Sequence, residues 1–69
     1  MIRTTAQQVA VDALLAEIAA ELPDAVVLST EDIESLDAVA ITVEVDYWET
    51  KIFRVYPDGQ RTVLTAGRI

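Results

Sequence analysis

The spacing of the hydrophobic residues changes once along this chain, and this change constrains the fold more than any other feature of the sequence. Near the N-terminus five apolar side chains recur three and four residues apart: Val11, Leu14, Leu15, Ile18 and Leu22. That spacing is typical of an α-helix with one apolar face. From Ala38 onward apolar and polar residues alternate, which is the period of a β-strand. The sequence therefore predicts an α+β fold in which an N-terminal amphipathic helix precedes a sheet.

Local signals predict where this helix begins and ends. The tetrapeptide Thr5-Ala6-Gln7-Gln8 fits a capping box, in which a Thr hydroxyl and a Gln amide satisfy backbone N–H groups at a helix start. We therefore expect the helix to begin near Ala6. Pro23 disfavours helical backbone at Leu22, so we expect the helix to end there.

The predicted outer face of the helix consists of small, uncharged side chains: Val9, Ala13, Ala16 and Ala20. Small residues allow another backbone to approach closely, so this face is a candidate for association with a partner or with a second copy. The alternative is that alanine is present for its high helix propensity on a solvated surface.

The next segment gives two different signals. Ala25–Leu28 is a short apolar run suited to a strand, and Ser29–Asp32 resembles a helix cap with acidic residues in the first turn. We expect a fourth, edge strand from the first run, and a short helical turn that ends near Leu36 from the second.

Three later segments are expected to pair as antiparallel strands. Ala38–Tyr47 alternates, with Val39, Ile41, Val43 and Val45 on one face and Ala40, Thr42, Glu44 and Asp46 on the other. Lys51–Tyr56 and Arg61–Ala66 follow, joined by a turn that has Pro57 at its second position and Gly59 where φ must be positive. The helix is expected to pack on this three- to four-stranded antiparallel sheet, with residues 1–69 forming a single domain.

Charge is distributed unevenly along the chain. The net charge is −7, and no Lys or Arg occurs between Thr4 and Thr50, whereas Lys51, Arg54, Arg61 and Arg68 follow. Eleven carboxylates occupy that stretch: Asp12, Glu17, Glu21, Asp24, Glu31, Asp32, Glu34, Asp37, Glu44, Asp46 and Glu49. Such a field repels nucleic acid and anionic membranes and attracts basic protein surfaces. The alternative is acidic charge that serves solubility alone.

The residue types present argue against most catalytic chemistries. The chain has no Cys and no His, which removes thiolate nucleophiles, imidazole bases and the usual zinc ligands. Asp32, Glu34 and Asp37 could bind a cation through oxygen, but their spacing does not match a calcium loop. We expect no enzyme activity, no catalytic residue, no metal and no cofactor.

The carboxylates themselves are the strongest candidate site. If Glu44 and Asp46 lie on one strand face, they are ~6.8 Å apart, similar to successive phosphates of a nucleic-acid strand. Neighbouring loops would extend this array with Glu31, Asp32, Glu34, Asp37 and Glu49. Trp48, with Tyr47 and Tyr56, is a candidate interface anchor, although in so small a domain a tryptophan is expected in the core more often than outside it.

In its small size, its acidic stretch from Asp12 to Glu49, its lack of Cys and His and its helix-then-strands order, the chain resembles some small phage-encoded anti-CRISPR proteins. The resemblance covers the whole chain as a pattern and involves no shared motif. It implies stoichiometric inhibition of a nucleic-acid-guided nuclease, either in its DNA-binding groove or at its subunit contacts. The basic residues from Lys51 to Arg68 depart from a uniformly acidic mimic.

Two functional hypotheses follow. The first is a non-enzymatic inhibitor that binds the basic surface of a nucleic-acid-binding protein, such as a CRISPR effector. It is expected to contact neither nucleic acid nor membrane itself. The second is a homo-oligomeric or antitoxin-type module that uses the alanine-rich helix face, so the chain is expected as a monomer or dimer. Because the sequence shows neither a signal peptide nor a membrane-spanning run, we expect it in the cytoplasm, or the host cytoplasm if it is phage-encoded.

Overall fold

The structure, a computed structural model, describes residues 2–67 and contains one helix and four strands. Their order is α1 (Thr5–Glu21), β1 (Val26–Ile33), β2 (Ala38–Glu44), β3 (Glu49–Val55) and β4 (Arg61–Gly67). A 3₁₀ turn, Glu34–Leu36, separates β1 from β2. The predicted α+β class is confirmed, since α1 packs on a four-stranded antiparallel sheet. Arg68, one of the basic residues counted above, lies outside the described residues.

Helix α1 begins one residue earlier than predicted, because its capping box is built on Thr4 and not on Thr5. The Thr4 hydroxyl accepts a hydrogen bond from the Gln7 backbone N–H at 3.0 Å, and the Gln7 side-chain oxygen accepts one from the Thr4 N–H at 3.3 Å. The Gln7 side-chain nitrogen also donates to the carbonyl oxygens of Asp37 and Val55, both at 2.9 Å. These tertiary bonds hold Gln7, and not Gln8, at the third helical position.

The two faces of α1 differ more in side-chain size than in polarity. Val11, Leu14 and Ile18 are buried, and Leu15 and Leu22 are partly buried against the same core, which confirms the predicted apolar stripe. The helix ends where the Leu22 N–H donates to the Ile18 carbonyl at 2.8 Å, one residue before Pro23. The outward face of small residues is exposed.

The sheet is a simple meander with the strand order β1-β2-β3-β4, so β1 and β4 are its two edges. Ile41, in the middle of β2, pairs with Thr30 of β1 and with Phe53 of β3. Antiparallel neighbours joined by short connections need no crossover. Strands close in the sequence are therefore also neighbours in the sheet.

Strand β1 is the main departure from the predicted elements. The expected edge strand exists, but it continues to Ile33, so the interpretation of Ser29–Asp32 as a helix cap is wrong. These four residues pair with β2, from Ser29 opposite Thr42 to Asp32 opposite Val39. The hydrogen bonds offered by β2 outweigh the local preference of Ser and Asp for caps, and only the 3₁₀ turn remains of the predicted helical turn.

The β3–β4 connection has the predicted geometry. Gly59 has φ of +86°, its N–H donates to the Tyr56 carbonyl at 2.9 Å, and the Tyr56 N–H donates to the Gln60 carbonyl at 2.8 Å. A β-carbon at Gly59 would lie 3.3 Å from the carbonyl oxygen of Ala6, so this turn also closes tightly on the first turn of α1.

The core lies between α1 and the two central strands. Val39, Ile41 and Val43 of β2 and Val55 of β3 are fully buried, and Phe53 packs partly buried beside them. This confirms the predicted inward face of β2, except that Val45 lies beyond the end of the strand. Every residue of β4 is exposed, although Arg61 at its start contacts Glu17 of α1.

Candidate functional site

The candidate carboxylates of β1 point to opposite sides of the sheet. Asp32 pairs with Val39, so it shares the helix-covered face, and Glu31 pairs with Ala40 on the other face. Asp32 accepts a 3.0 Å hydrogen bond from Nε of Arg3, which partly neutralises it. Glu31 is exposed.

Glu34 and Asp37 follow directly in and after the 3₁₀ turn, and both are exposed. Asp37 has φ of +50°, in the left-handed region that Asp tolerates better than most residues. Its backbone carbonyl accepts the Gln7 hydrogen bond, so this position has a structural role as well. With Glu31 and Asp32 they form a run of four acidic residues along one sheet edge, which we call the acidic edge: Glu31, Asp32, Glu34 and Asp37.

The predicted pairing of Glu44 with Asp46 on one strand face is wrong, because β2 ends at Glu44. Asp46 lies in the β2–β3 turn, where its carboxylate accepts a hydrogen bond from the Trp48 backbone N–H at 2.7 Å. The turn closes through the N–H groups of Val45 and Asp46, which donate to the Glu49 carbonyl at 3.0 and 3.4 Å. Asp46 therefore acts as a turn-forming side chain.

Trp48 lies outside the core, contrary to the expectation for a tryptophan in a domain this small. Its exposed fraction is 66%, and that of Tyr47 is 60%. The two rings pack edge to face with their centroids 4.6 Å apart. Both side chains lie in the turn between β2 and β3. Tyr56 is partly buried.

Glu49 begins β3 and lies 3.7 Å from the ammonium group of Lys51. Together with the turn it defines a second group, which we call the hairpin cluster: Glu44, Asp46, Trp48 and Glu49. The acidic edge and the hairpin cluster lie toward opposite ends of β2, a seven-residue strand that spans ~20 Å. The predicted site residues therefore form two groups and not one continuous array.

The cations of the sheet lie on β3 and β4, toward the edge opposite the acidic edge. Lys51 and Arg54 are in β3 and Arg61 is in β4, where the Arg61 guanidinium lies 2.8 Å from the Glu17 carboxylate. Because the strands are adjacent in sequence order, the uneven charge of the sequence becomes a lateral charge separation in the molecule. Arg3 is the cation that contacts the acidic half.

Two surface features were not predicted. A groove of about 370 Å³ lies between α1 and the β4 edge, and it is lined both by apolar side chains, such as Ile18 and Phe53, and by charged ones, such as Glu17 and Arg61. At the start of β1, Val26, Val27 and Leu28 are about half exposed, and the pairing register with β2 shifts there. The sequence shows which side chains are apolar and which are charged, but it does not show which strands the helix leaves uncovered.

The alanine-rich helix face is exposed along its length, including Val9 at 63%. Within residues 2–67 no group of three or more Asp or Glu side chains is arranged to hold a metal ion. In the same part of the chain, α1 is too short and insufficiently apolar to cross a bilayer.

The fold and its surfaces define a class of small α+β protein in which one helix covers the centre of a four-stranded antiparallel meander and leaves both sheet edges exposed. No protein-family model matches the chain, and comparisons with curated proteins and with solved structures give no significant match.

Proposed function

We propose that this chain is a non-enzymatic protein that binds a basic protein surface through its acidic edge and inhibits the protein that carries that surface. The observation that supports this proposal most is the position of the acidic edge on and beside the edge strand β1. Glu31, Glu34 and Asp37 are exposed there, and within residues 2–67 one edge of β1 has no neighbouring strand. Exposed carboxylates beside an open strand edge combine electrostatic attraction with backbone hydrogen-bonding groups.

The hairpin cluster adds exposed aromatic side chains, which the acidic edge lacks. Tyr47 and Trp48 present two large, exposed rings beside Glu44 and Asp46. Aromatic anchors contribute much of the free energy of binding in protein interfaces, and arginine side chains stack well on their faces. A partner rich in arginine fits both groups of residues.

Surfaces that are rich in arginine and lysine are typical of nucleic-acid-binding proteins, because they hold phosphates. We therefore propose such a protein as the target, with nucleic-acid mimicry as one mode of inhibition. A nucleic-acid-guided nuclease, as implied by the resemblance to anti-CRISPR proteins, is the specific form of this proposal. The proposed site of action is the cytoplasm, or the host cytoplasm for a phage-encoded protein.

Charge reversal tests the proposal on targets captured from a host lysate. The test variant is Glu31→Lys/Asp32→Lys/Glu34→Lys, and a second variant, Glu44→Lys/Glu49→Lys, tests the hairpin cluster while leaving the bond between Asp46 and the Trp48 N–H intact. We expect both to lose the captured target while the circular dichroism spectrum is preserved, since exposed carboxylates contribute little to folding. The measurement is the amount of target retained, quantified by mass spectrometry.

A matched control separates local contacts from net charge. Asp12→Lys/Glu21→Lys/Asp24→Lys changes the net charge as much as the acidic-edge variant but alters exposed residues outside both groups. This control is expected to retain the target. If it loses the target to the same extent, or if the acidic-edge variant retains it, the acidic edge is not the binding surface.

A second candidate function is a homo-oligomeric or antitoxin-type module that uses the alanine-rich helix face. The exposure of Val9, Ala13, Ala16 and Ala20 favours it. Ala16→Arg would place a long charged side chain in the middle of that face. A wild-type oligomer that this change dissociates, measured by light scattering, would support this candidate; a protein whose mass is unchanged by Ala16→Arg would contradict it.

A further inference from the structure

The sheet face turned away from α1, which we call the open face, has an ordered arrangement of side chains. Since paired residues of antiparallel strands point to the same side, each row across the sheet can be read from the pairing register. One row runs Ser29, Thr42, Ile52 and Leu64 from β1 to β4. The next row runs Glu31, Ala40, Arg54 and Thr62.

Side-chain size is divided across the first of these rows. Ser29 and Thr42, on β1 and β2, are small, whereas Ile52 and Leu64, on β3 and β4, are large and apolar. Leu64 is 62% exposed although it lies in a regular strand. In this row the large side chains are therefore on β3 and β4, whereas in the row Val26, Glu44, Thr50 and Ala66 they are on β1 and β2, so in both rows one half of the sheet has large side chains and the other half small ones.

The second row divides charge between the β1–β2 half and the β3–β4 half of the sheet. Glu31 and Arg54 are both exposed and stand on either side of Ala40, two strands apart. Neither forms an ion pair with any other residue in the part of the chain that the structure describes. The acidic side chain is on the β1–β2 half of the face and the basic side chain is on the β3–β4 half.

We propose that the open face is the interface of a symmetric dimer whose twofold axis runs parallel to the strands, between β2 and β3. This rotation places β3 of one copy over β2 of the other, and β4 over β1. Ile52 then lies over Thr42 of the second copy, and Leu64 over Ser29 of the second copy. Large side chains meet small ones at every position of that row, and the twofold axis repeats each contact.

The same rotation also pairs the charges. Arg54 of one copy lies opposite Ala40 of the second copy, one strand spacing of about 4.8 Å to the side of Glu31 of that copy. Packed sheets are about 10 Å apart, a separation that long Arg and Glu side chains can bridge. Two Arg54–Glu31 pairs form in each dimer. This self-complementarity of size and charge identifies the occupant as a second copy and not an unrelated protein.

The size of the face sets the expected strength of the dimer. Four strands of about seven residues, with neighbours about 4.8 Å apart and a rise of about 3.3 Å per residue, cover roughly 440 Å² per copy. The total of about 900 Å² is below the range of standard stable interfaces and is typical of weak association. We therefore expect an equilibrium between monomer and dimer that shifts with concentration, in the micromolar range or weaker.

A charge-swap experiment tests the pairing of Arg54 with Glu31. Arg54→Glu alone and Glu31→Arg alone each place like charges together twice, and each is expected to weaken the dimer by about tenfold or more. Mixing the two single variants restores opposite charges at both contacts, so a heterodimer is expected to form. The double variant Glu31→Arg/Arg54→Glu should likewise recover self-association. Sedimentation velocity from low micromolar to submillimolar concentration measures each case.

Two controls keep the outcome clear. Ala16→Arg on the helix face should leave the dimer intact, and Leu64→Glu on the open face should dissociate it. Arg54 does not belong to the acidic edge, so Arg54→Glu tests the dimer without removing the proposed target-binding carboxylates. A wild-type protein that stays monomeric at submillimolar concentration would overturn the proposal. So would a dimer that Ala16→Arg dissociates, or single variants that fail to associate when mixed.

Discussion

Val43 and Glu44 are neighbours in β2 whose side chains have opposite environments. Val43 is fully buried in the core, whereas Glu44 faces the other side of the sheet and is partly exposed. We expect Val43→Asp to destabilise the fold by several kcal/mol, because a buried carboxylate without a partner is costly. That loss is comparable with the ~5 kcal/mol expected for a chain of this length. Glu44→Ala should have little effect, and equal melting temperatures of the two variants would contradict the register of β2.

Gln7 is a buried polar residue with every side-chain group satisfied. Its side-chain oxygen accepts from Thr4 and its nitrogen donates to the carbonyls of Asp37 and Val55, so it joins α1 to the ends of β2 and β3. Gln7→Glu keeps the shape but places a carboxylate oxygen against two carbonyl oxygens. We expect this change to cost about 2 kcal/mol or more at neutral pH, because the donor is lost and a charge is buried.

The cost of Gln7→Glu should depend on pH in a defined direction. Burial and the two carbonyls raise the pKa of the introduced carboxyl above the ~4.3 of an unfolded glutamate. The variant is therefore closest to the wild type below about pH 4.3 and loses stability as pH rises through the raised pKa of the folded state. Urea unfolding of both proteins across this range gives the difference. Gln60→Glu, at an exposed position of the β3–β4 turn, is the control, and a difference that is constant with pH for Gln7→Glu would contradict the buried network.

At the scale of the elements, the β3–β4 turn fixes the position of the helix start. Gly59 combines a positive φ with a close approach to the Ala6 carbonyl oxygen, so Gly59→Ala is expected to cost about 1–2 kcal/mol. Gly67, the other glycine, has no positive φ, and a β-carbon there would lie 3.9 Å from the nearest atom, the Trp48 carbonyl oxygen. Gly67→Ala should be neutral or slightly stabilising. The measurement is the melting temperature of each variant. Equal melting temperatures would contradict the special role of Gly59.

The periodicity of the apolar residues and the residue types typical of turns were sufficient to predict α1, β2, β3, β4 and the turn at Gly59. They failed at Ser29–Asp32, because a strand that is rich in Ser, Thr and acidic residues is held by its pairing with β2 and not by its own propensity. The capping box was displaced by one residue, since both Thr4 and Thr5 fit the pattern and only the tertiary bonds of Gln7 distinguish them.

The candidate site was predictable in composition but not in arrangement. The identity of the acidic residues is visible in the sequence, yet their division into two groups depends on where β2 ends and on which face each side chain occupies. Asp46 illustrates this, because its bond to the Trp48 N–H takes it out of the strand. Trp48 is exposed because it lies in the turn between β2 and β3, and its position there depends on where β2 ends.

At the scale of the whole molecule, the meander turns a sequence block of acids into an acidic side and leaves Lys51, Arg54 and Arg61 on the other. Glu31 belongs both to the acidic edge and to the open face. If both proposals hold, dimer formation and target binding compete for this residue. Arg54→Glu, which weakens the dimer, should then increase the fraction of protein that is free to bind its target at high protein concentration.

The salt dependence of target binding tests the proposed function most directly. The affinity of the purified chain for its captured target should be measured at about 50 and about 500 mM salt, where the screening length falls from ~14 to ~4 Å. We predict that wild-type affinity decreases by about tenfold or more, since carboxylates facing a basic surface dominate the attraction. The variant Glu31→Lys/Asp32→Lys/Glu34→Lys should bind weakly at both salt concentrations. A wild-type affinity that changes with neither salt nor charge reversal would contradict binding through the acidic edge.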